Sequence, residues 1–599
     1  MCGIVGYYGK KQAFDILIGG LKKLEYRGYD SSGISIISSD LQSISTQKEI
    51  GHQKDILFDR AEGSIGIAHT RWATHGKVTK VNTHPHTDCK DEIYIVHNGI
   101  IKNYKFLKEM LIYKGHKFRS ETDTEVLAHL VEEQLNKSHT IEAAFAISVQ
   151  KLEGDYSIML IKKGEKTLLG ARRGTVPLCI GISDEGIFPA SDVLAFTEYT
   201  NKAIFLKSGD TFIKDKKGLR IYNTETFKKV EREIQTVLVD DTDTHLGMHK
   251  HYMIKEISEQ GEALMRAITQ DTASIKEICK LMKESEKVFF IGCGSSYNAC
   301  LAAFYLFSGI ANYQVTPVLS SEYWFYKKFF NDKTLVVAVS QSGETADILT
   351  AVESAKEKGC KVVSIVNREN SILSQMSDIS LFNKCGTEIC VLSTKSYITQ
   401  VAIISIIAYH LADKYEEGIQ KLKNLYVDVF NLTSTTMREL IQKVAKKICK
   451  SNDLYIIGRG VQYPTALEAA LKIKEVSYTH AEAFAGGELK HGNLALIDKN
   501  TPCIALIPYT PKWTQVSMNL DEANILSDTE EIKSRGGYII GVGFEQQHTF
   551  NIWIKVPDSG ELNPITQIIP MQLLAYELAL LKGLDPDKPR NLAKSVTVS

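Results

Sequence analysis

The chain has 599 residues, and Lys plus Arg equals Asp plus Glu at 71 each, with 44% hydrophobic residues. At roughly 150 residues per domain this length calls for about three or four compact units, and the balanced charge argues against a nucleic-acid or membrane-surface partner. The 11 cysteines are scattered singly without paired metal-type spacings, which fits reduced thiols and a cytoplasmic location. The N-terminus lacks the basic and apolar regions of a signal peptide. The apolar stretch Val401 to Ala412 is broken by Ser405 and His410. It is shorter than the ~20 residues of a membrane span and reads as a buried helix.

Cys2 is the first residue with chemical promise. With Met1 removed, its own α-amine, of pKa roughly 7.7–8.0, becomes a base beside its thiol. The apolar run Ile4 to Tyr8 predicts a strand, and Phe14, Leu17, Ile18, Leu21 and Leu24 predict a helix over 13–24. A Gly-punctuated loop follows, then strands over 34–37, 64–68 and 93–96 and helices over 103–114 and 123–135. The 64–68 strand leads into His69 to Gly76, and the 93–96 strand into His97-Asn98-Gly99. Alone, Asn-Gly is a turn signal and a single Arg or Asp is a solvated charge. Together and in order, M-C-G-I-V-G, L-E-Y-R-G-Y-D-S-S-G, H-T-R-W-A-T-H-G, N-T-H-P-H, H-N-G-I-I and S-E-T-D-T-E-V resemble the glutaminase domain of class II glutamine amidotransferases.

That resemblance implies an N-terminal-nucleophile hydrolase αββα sandwich in which Cys2 attacks the glutamine side-chain carbonyl. The Asn98 amide and the Gly99 N–H suit an oxyanion hole. Arg71 suits the substrate's α-carboxylate, Asp123 its α-ammonium, and Arg27 the ordering of the Cys2 region. Thr74 and His75 join the glutamine-binding set, and Trp72 is the implied ammonia gate. His84-Pro85-His86 with Asp88 and Cys89 has metal-ligand residue types, but no second cluster in the sequence completes a closed site. The resemblance makes these histidines structural, so no metal is expected. Lys102 stands where relatives usually carry Glu, at an exposed first-turn position.

Asp240 to Thr244 is polar and aperiodic and reads as a linker; helical spacing then runs from about Ile254 through Met282. Beyond it, Gly292, Gly294 and Tyr297 map onto Gly458, Gly460 and Tyr463 by one constant shift of 166 residues. This is an internal duplication. Each copy alternates strands with helices, so two doubly wound, mainly parallel sheets are expected. The third Gly of a dinucleotide fingerprint is missing from both. Ser340-Gln341-Ser342-Gly343-Glu344-Thr345 sits between a strand and a helix predicted over 347–358, where hydroxyls and backbone N–H groups bind phosphate or merely cap the helix. The second copy has Pro508-Tyr509-Thr510 there, so only the first should hold phosphate.

The pair resembles tandem sugar isomerase domains, with S-Q-S-G-E-T as the phosphosugar loop. Ser295 and Ser296 supply further hydroxyls, and V-L-S-T-K contributes Ser393. On the helix predicted over 463–476, Glu468, Lys472 and Glu475 share one face, by spacing alone a surface salt-bridge ladder. With T-H-A-E-A-F-A-G-G-E-L-K-H-G and the terminal P-R-N-L-A-K-S-V-T-V, the chain is similar throughout to the glutamine–fructose-6-phosphate transaminase family. Gly261 and Asn493 stand where that family usually has Pro.

The family resemblance implies that L-glutamine and D-fructose 6-phosphate give D-glucosamine 6-phosphate and L-glutamate, the first step of hexosamine synthesis, with no metal or organic cofactor. His491, supported by Glu468, opens the sugar ring. Lys594, next to the sugar-contacting Ala593, forms a Schiff base at C2. Ammonia crosses a dry passage and displaces the lysine; Glu475 moves a proton between C1 and C2, and Lys472 assists. The expected divisions are 1–238 glutaminase, 239–285 linker and connecting helix, 286–430 and 431–585 isomerase copies, and 586–599 a catalytic tail, in a homodimer. Two rivals are an amidotransferase with another acceptor and a non-catalytic sugar-phosphate sensor.

Overall fold

A computed structural model describes residues 2–51, 56–72, 76–137, 139–237, 245–508 and 520–594. The chain divides into two compact units, Met1–Val239 with Glu344–Ala346 and Ala593–Ser599, and Asp240–Gly343 with Asp347–Leu592.

In the first unit, Gly3–Gly9 pairs antiparallel with Ile65–Arg71 and Gly186–Ala190 at the centre of an eight-stranded sheet. A six-stranded sheet centres on the antiparallel Ile93–Ile101, Gly154–Lys162 and Leu168–Arg173. Strand alternation sends one set of side chains from each sheet into a shared layer. Ile4, Ile67, Val96, Met159 and Ile180 pack together there. On the outside, helix Ala13–Leu24 covers the larger sheet through Leu17 and Leu21, and helices Tyr104–Tyr113, Glu125–Leu135 and Ile141–Gln150 cover the smaller one. The result is the αββα sandwich. One expectation changes: Asn98 and Gly99 continue the strand Ile93–Ile101 and pair with Ser157 and Tyr156. Long-range pairing overrides the local turn preference.

In the second unit the duplication is explicit. Lys287–Gly292, Thr316–Leu319, Thr334–Ser340, Lys361–Val366 and Ile379–Phe382 form a parallel sheet in the spatial order second, first, third, fourth, fifth. Asp453–Gly458, His480–Ala485, Pro502–Leu506, Tyr538–Gly543 and Ile552–Lys555 repeat that order. The copies share one core, with helices Lys395–Leu411, Gln462–Ser477 and Asn563–Leu581 in a single cluster. The segment Gly560–Leu581 is long and apolar enough to cross a membrane, but 89% of its apolar window is buried in this core. The continuous helix expected from Ile254 to Met282 is three: Tyr252–Ser258, Gln260–Ala267 and Thr272–Glu284. Asp271 starts the last by accepting the Ala273 and Ser274 N–H groups at 3.3 and 2.9 Å. The apolar period survives the breaks because all three helices pack on the same core.

Candidate active sites

Cys2 immediately precedes the strand Gly3–Gly9. Its Sγ accepts the Trp72 backbone N–H at 3.2 Å, and its carbonyl accepts from Asn98 Nδ2 at 2.9 Å and Arg27 Nε at 3.4 Å. Burial pushes the thiol pKa up, while the Trp72 N–H and Arg71 pull it down. Those two groups favour the thiolate. Arg27 is buried on the turn Glu25–Arg27 and ion-pairs with Asp192 at 3.1 Å. Its Nε thereby links that ion pair to the Cys2 carbonyl. The Trp72 ring stands edge-on to Tyr29 with centroids 5.5 Å apart.

Gly99 has φ +117°, and a Cβ there would lie 2.0 Å from the Asp155 carbonyl oxygen. The position admits no side chain, because the neighbouring strand's backbone fills that space. Asn98 is oriented by a residue the sequence reading passed over. His69 Nε2 lies 3.0 Å from His97 O and 3.1 Å from Asn98 Oδ1. A carbonyl only accepts, so Nε2 carries the hydrogen, Asn98 Oδ1 accepts it, and Nδ2 faces Cys2. Burial, then the Arg71 charge, lowers the His69 pKa to about 3, so the ring is neutral. Strand alternation puts His69 on the face of Ile65 and Ile67, an inward-pointing histidine that could have been noticed.

Arg71 ends the strand Ile65–Arg71, buried, donating to Lys77 O and Gly76 O at 3.2 Å each. Desolvation lowers its pKa, offset by Cys2, Asp30 and Asp123. Asp123 is buried and accepts the Ile101 N–H at 2.8 Å. Thr74 and His75 lie outside the described residues. His84 and His86 are buried with pKa values held well below the usual histidine range by desolvation. They contact Thr124 and Thr122 at 3.3 and 3.1 Å, in keeping with a structural loop.

In the second unit, Ser295 and Ser296 occupy the first turn of helix Gly294–Ala311. Ser295 Oγ donates to Glu468 Oε1 at 2.8 Å and accepts from Lys472 Nζ at 3.0 Å. Ser296 Oγ accepts from Gln400 Nε2 at 3.1 Å. The Lys472 ammonium is 3.4 Å from Glu468 and 2.7 Å from Glu475. Two carboxylates and the Ser295 hydroxyl thus lie within 3.4 Å of its Nζ. Desolvation alone would lower its pKa, but Glu468 and Glu475 outweigh it and raise the value, so Lys472 stays charged. Burial raises the Glu468 pKa against the pull of Lys472 and Asn298. With Lys472 and Glu468 at 1% and 0% side-chain exposure, this is a buried charged cluster and not the surface ladder that spacing alone suggested.

Ser340 ends the strand Thr334–Ser340, and its Oγ accepts the Gly343 N–H at 3.0 Å. Gly343 has φ +66°, and a Cβ would meet Ser371 Oγ at 2.2 Å. The loop so folded, with Gln341 and Thr345 half-buried and Ser342 buried, leads into helix Ala346–Glu357, whose N-terminus suits an anion. Ser393 Oγ meets Ser396 Oγ at 2.5 Å. The buried Glu388, absent from the sequence reading, holds this stretch by accepting the Thr394 and Ser396 N–H groups at 2.8 and 3.2 Å.

Two expected partners are not brought together. Glu468 is bonded by Ser295 Oγ and by Asn298 Nδ2 at 2.8 Å, whereas His491 ends the 3-10 turn Gly486–His491 exposed to solvent. The support of His491 by Glu468 is therefore not seen among the described residues. Ala593 and Lys594 are half-buried at the end of the described chain. The tail before them is anchored: Asp587 accepts the Tyr252 and Met253 N–H groups at 2.7 Å each, and the Arg590 guanidinium lies over the Tyr478 ring at 4.2 Å.

Residues 69–198 match the model of a glutamine amidotransferase domain, and residues 281–409 and 447–525 match that of the SIS domain. Fold and sites thus define a glutamine amidotransferase joined to a pair of sugar isomerase domains. A glutamine–fructose-6-phosphate aminotransferase (isomerizing) of Thermococcus kodakarensis is 39% identical over 612 residues, covering 100% of both chains. That of Pyrococcus horikoshii is 40% identical over 608 residues, again 100% of both. The solved C-terminal domain of a glucosamine-fructose-6-phosphate aminotransferase from Francisella tularensis superposes with TM-score 0.52 at 32% identity, covering 57% of this chain and 99% of that one. The chain belongs to the glutamine–fructose-6-phosphate aminotransferase (isomerizing) family.

Proposed function

We propose that this chain converts L-glutamine and D-fructose 6-phosphate into L-glutamate and D-glucosamine 6-phosphate, as a homodimer in the reducing cytoplasm. The observation that carries it is the coexistence, in a chain matched end to end by this family, of a thiol at Cys2 beside Asn98 and of a buried Glu468–Lys472–Glu475 cluster against Ser295.

In this reading the α-amine of Cys2, exposed by loss of Met1, takes the thiol proton. The thiolate attacks the glutamine amide carbon, and the oxyanion is met by Asn98 Nδ2 and the Gly99 N–H. Collapse expels ammonia and leaves a thioester, which water cleaves to glutamate. Arg71 and Asp123, joined by Thr74 and His75, hold the amino-acid end of glutamine. Trp72, whose backbone touches the Cys2 sulfur, gates ammonia release.

At the sugar site the loop 340–345, with Ser295, Ser296 and Ser393, holds the phosphate and hydroxyls. His491 assists ring opening, and the Lys594 amine condenses with the C2 carbonyl, losing water. Ammonia displaces the lysine to give the C2 imine. Glu475 then removes a proton from C1 and returns one to C2, while the O1 hydroxyl gives up its proton and the imine nitrogen gains one, leaving an amine at C2 and an aldehyde at C1. The charged Lys472 steadies the anionic character that passes between those carbons. The test is to follow glutamate and glucosamine 6-phosphate together in the wild type, Cys2→Ala and Lys594→Ala. Equal formation of both products is expected, with Cys2→Ala losing glutamate and Lys594→Ala losing only the amino sugar. Glutamate without amino sugar from the wild type would sink the acceptor assignment.

A further inference from the structure

Away from Cys2, the first unit gathers four metal-type ligands from three separate segments. Cys89, His116, His129 and Glu132 each bring one ligand atom to within 4.8 Å of the others. They come from the loop after strand His86–Thr87, the turn after helix Tyr104–Tyr113 and the helix Glu125–Leu135. Cys89 Sγ is 3.8 Å from His116 Nδ1 and 3.5 Å from His129 Nδ1. Glu132 Oε2 is 2.9 and 3.2 Å from the same two nitrogens. A tetrahedral zinc ion, with bonds of about 2.3 Å to sulfur and about 2.0–2.1 Å to nitrogen or oxygen, spaces such atoms by about 3.6 Å (S to N) and about 3.3 Å (N to O). All four separations fall within about 0.5 Å of those edges.

The surroundings point the same way. Each histidine turns Nδ1 into the cluster; His116 Nε2 is hydrogen-bonded to Glu133 at 3.4 Å, and His129 Nε2 has the Glu125 carboxylate 3.6 Å away, beyond hydrogen-bond reach. A carboxylate behind the second ring nitrogen is the usual support of a ligating histidine. The Lys117 N–H reaches Cys89 Sγ at 3.4 Å, a donor suited to a thiolate. One thiolate, one carboxylate and two neutral imidazoles balance a divalent ion in a buried place.

We propose that these four side chains bind a structural zinc ion. Four protein ligands close the tetrahedron, so the site holds no water for catalysis. The ion would tie the 88–91 loop to residue 116 and to the helix that begins just after Asp123. His84 and His86, the histidines nearest Cys89 in sequence, contact Thr124 and Thr122 instead.

The test uses untagged full-length protein. Metal analysis should find about one zinc per chain, and Cys89→Ser with His129→Ala should abolish it. Metal-free protein given Co²⁺ alone should show the intense visible bands of a tetrahedral site together with a thiolate charge-transfer band. Glu132→Gln, the mildest change, should keep the fold while weakening Zn²⁺ binding at least tenfold. Wild-type protein whose thermal midpoint is unmoved by Zn²⁺ or chelator, or which takes up cobalt with no thiolate band, would overturn the proposal.

Discussion

His69 is the residue whose role reaches furthest beyond its size. It fixes the Asn98 amide by a single hydrogen bond at 3.1 Å, so His69→Ala should lower glutaminase kcat while KM for glutamine changes little. Asn98→Ala should cost more, ~10²–10³ in kcat, as losses of oxyanion donors do. Equal kcat losses with Asn98→Ala and with the double variant would show that the two residues act as one unit. His69 also carries a pH consequence. Its folded pKa of about 3 lies below the usual histidine value of 6.5. The unfolded chain therefore binds the extra proton between those values, and stability falls as pH drops through that window, by about 1.4 kcal/mol per unit of separation. A thermal midpoint that declines from pH 7 to 4, with a shallower decline in His69→Gln, is expected. A pH slope unchanged in that variant would place the acid lability elsewhere.

At the scale of elements, the helix Gln462–Ser477 shows how a spacing acquires meaning only on folding. Lys472 is buried between Glu468 and Glu475, so Lys472→Met should strand two carboxylates and destabilise by about 3–5 kcal/mol. Adding Glu468→Gln should recover part of that loss; denaturant titration of the single and double variants measures it. A second element-level prediction concerns the tail. Asp587 accepts two N–H groups at the start of helix Tyr252–Ser258, so Asp587→Ala should cost about 0.5–2 kcal/mol, as lost helix caps do. It should also slow sugar conversion by unpinning the segment that leads to Lys594, while leaving glutaminase activity alone. Loss of both activities would mean a general folding defect.

Period and repetition made much of this readable beforehand. The apolar spacing gave helix Ala13–Leu24 residue for residue, and the constant shift between the two glycine pairs anticipated two parallel sheets; their shared strand order shows only in the fold. What stayed hidden depends on contacts between distant segments. Asn98-Gly99 reads locally as a turn, yet pairing with Ser157 and Tyr156 keeps it in a strand. Glu388 and Asn298 look like ordinary polar residues until the fold turns them onto Thr394 and Glu468. Cys89 is 27 residues from His116 and 40 from His129, separations that no local ligand motif spans.

At the scale of the whole molecule, nitrogen released at Cys2 is the nitrogen that appears on the sugar. Free ammonia in water is mostly protonated and unreactive, so the transfer has to avoid bulk solvent. The most direct measurement supplies glutamine labelled with ¹⁵N at the side-chain amide, fructose 6-phosphate and an excess of unlabelled ammonium, and reads the isotope in glucosamine 6-phosphate by mass spectrometry. Amino sugar carrying undiluted ¹⁵N, equal in amount to glutamate, is expected, with none from Cys2→Ala at the same ammonium concentration. Label diluted to the isotopic composition of the ammonium pool, or labelled ammonium accumulating with no amino sugar, would contradict it.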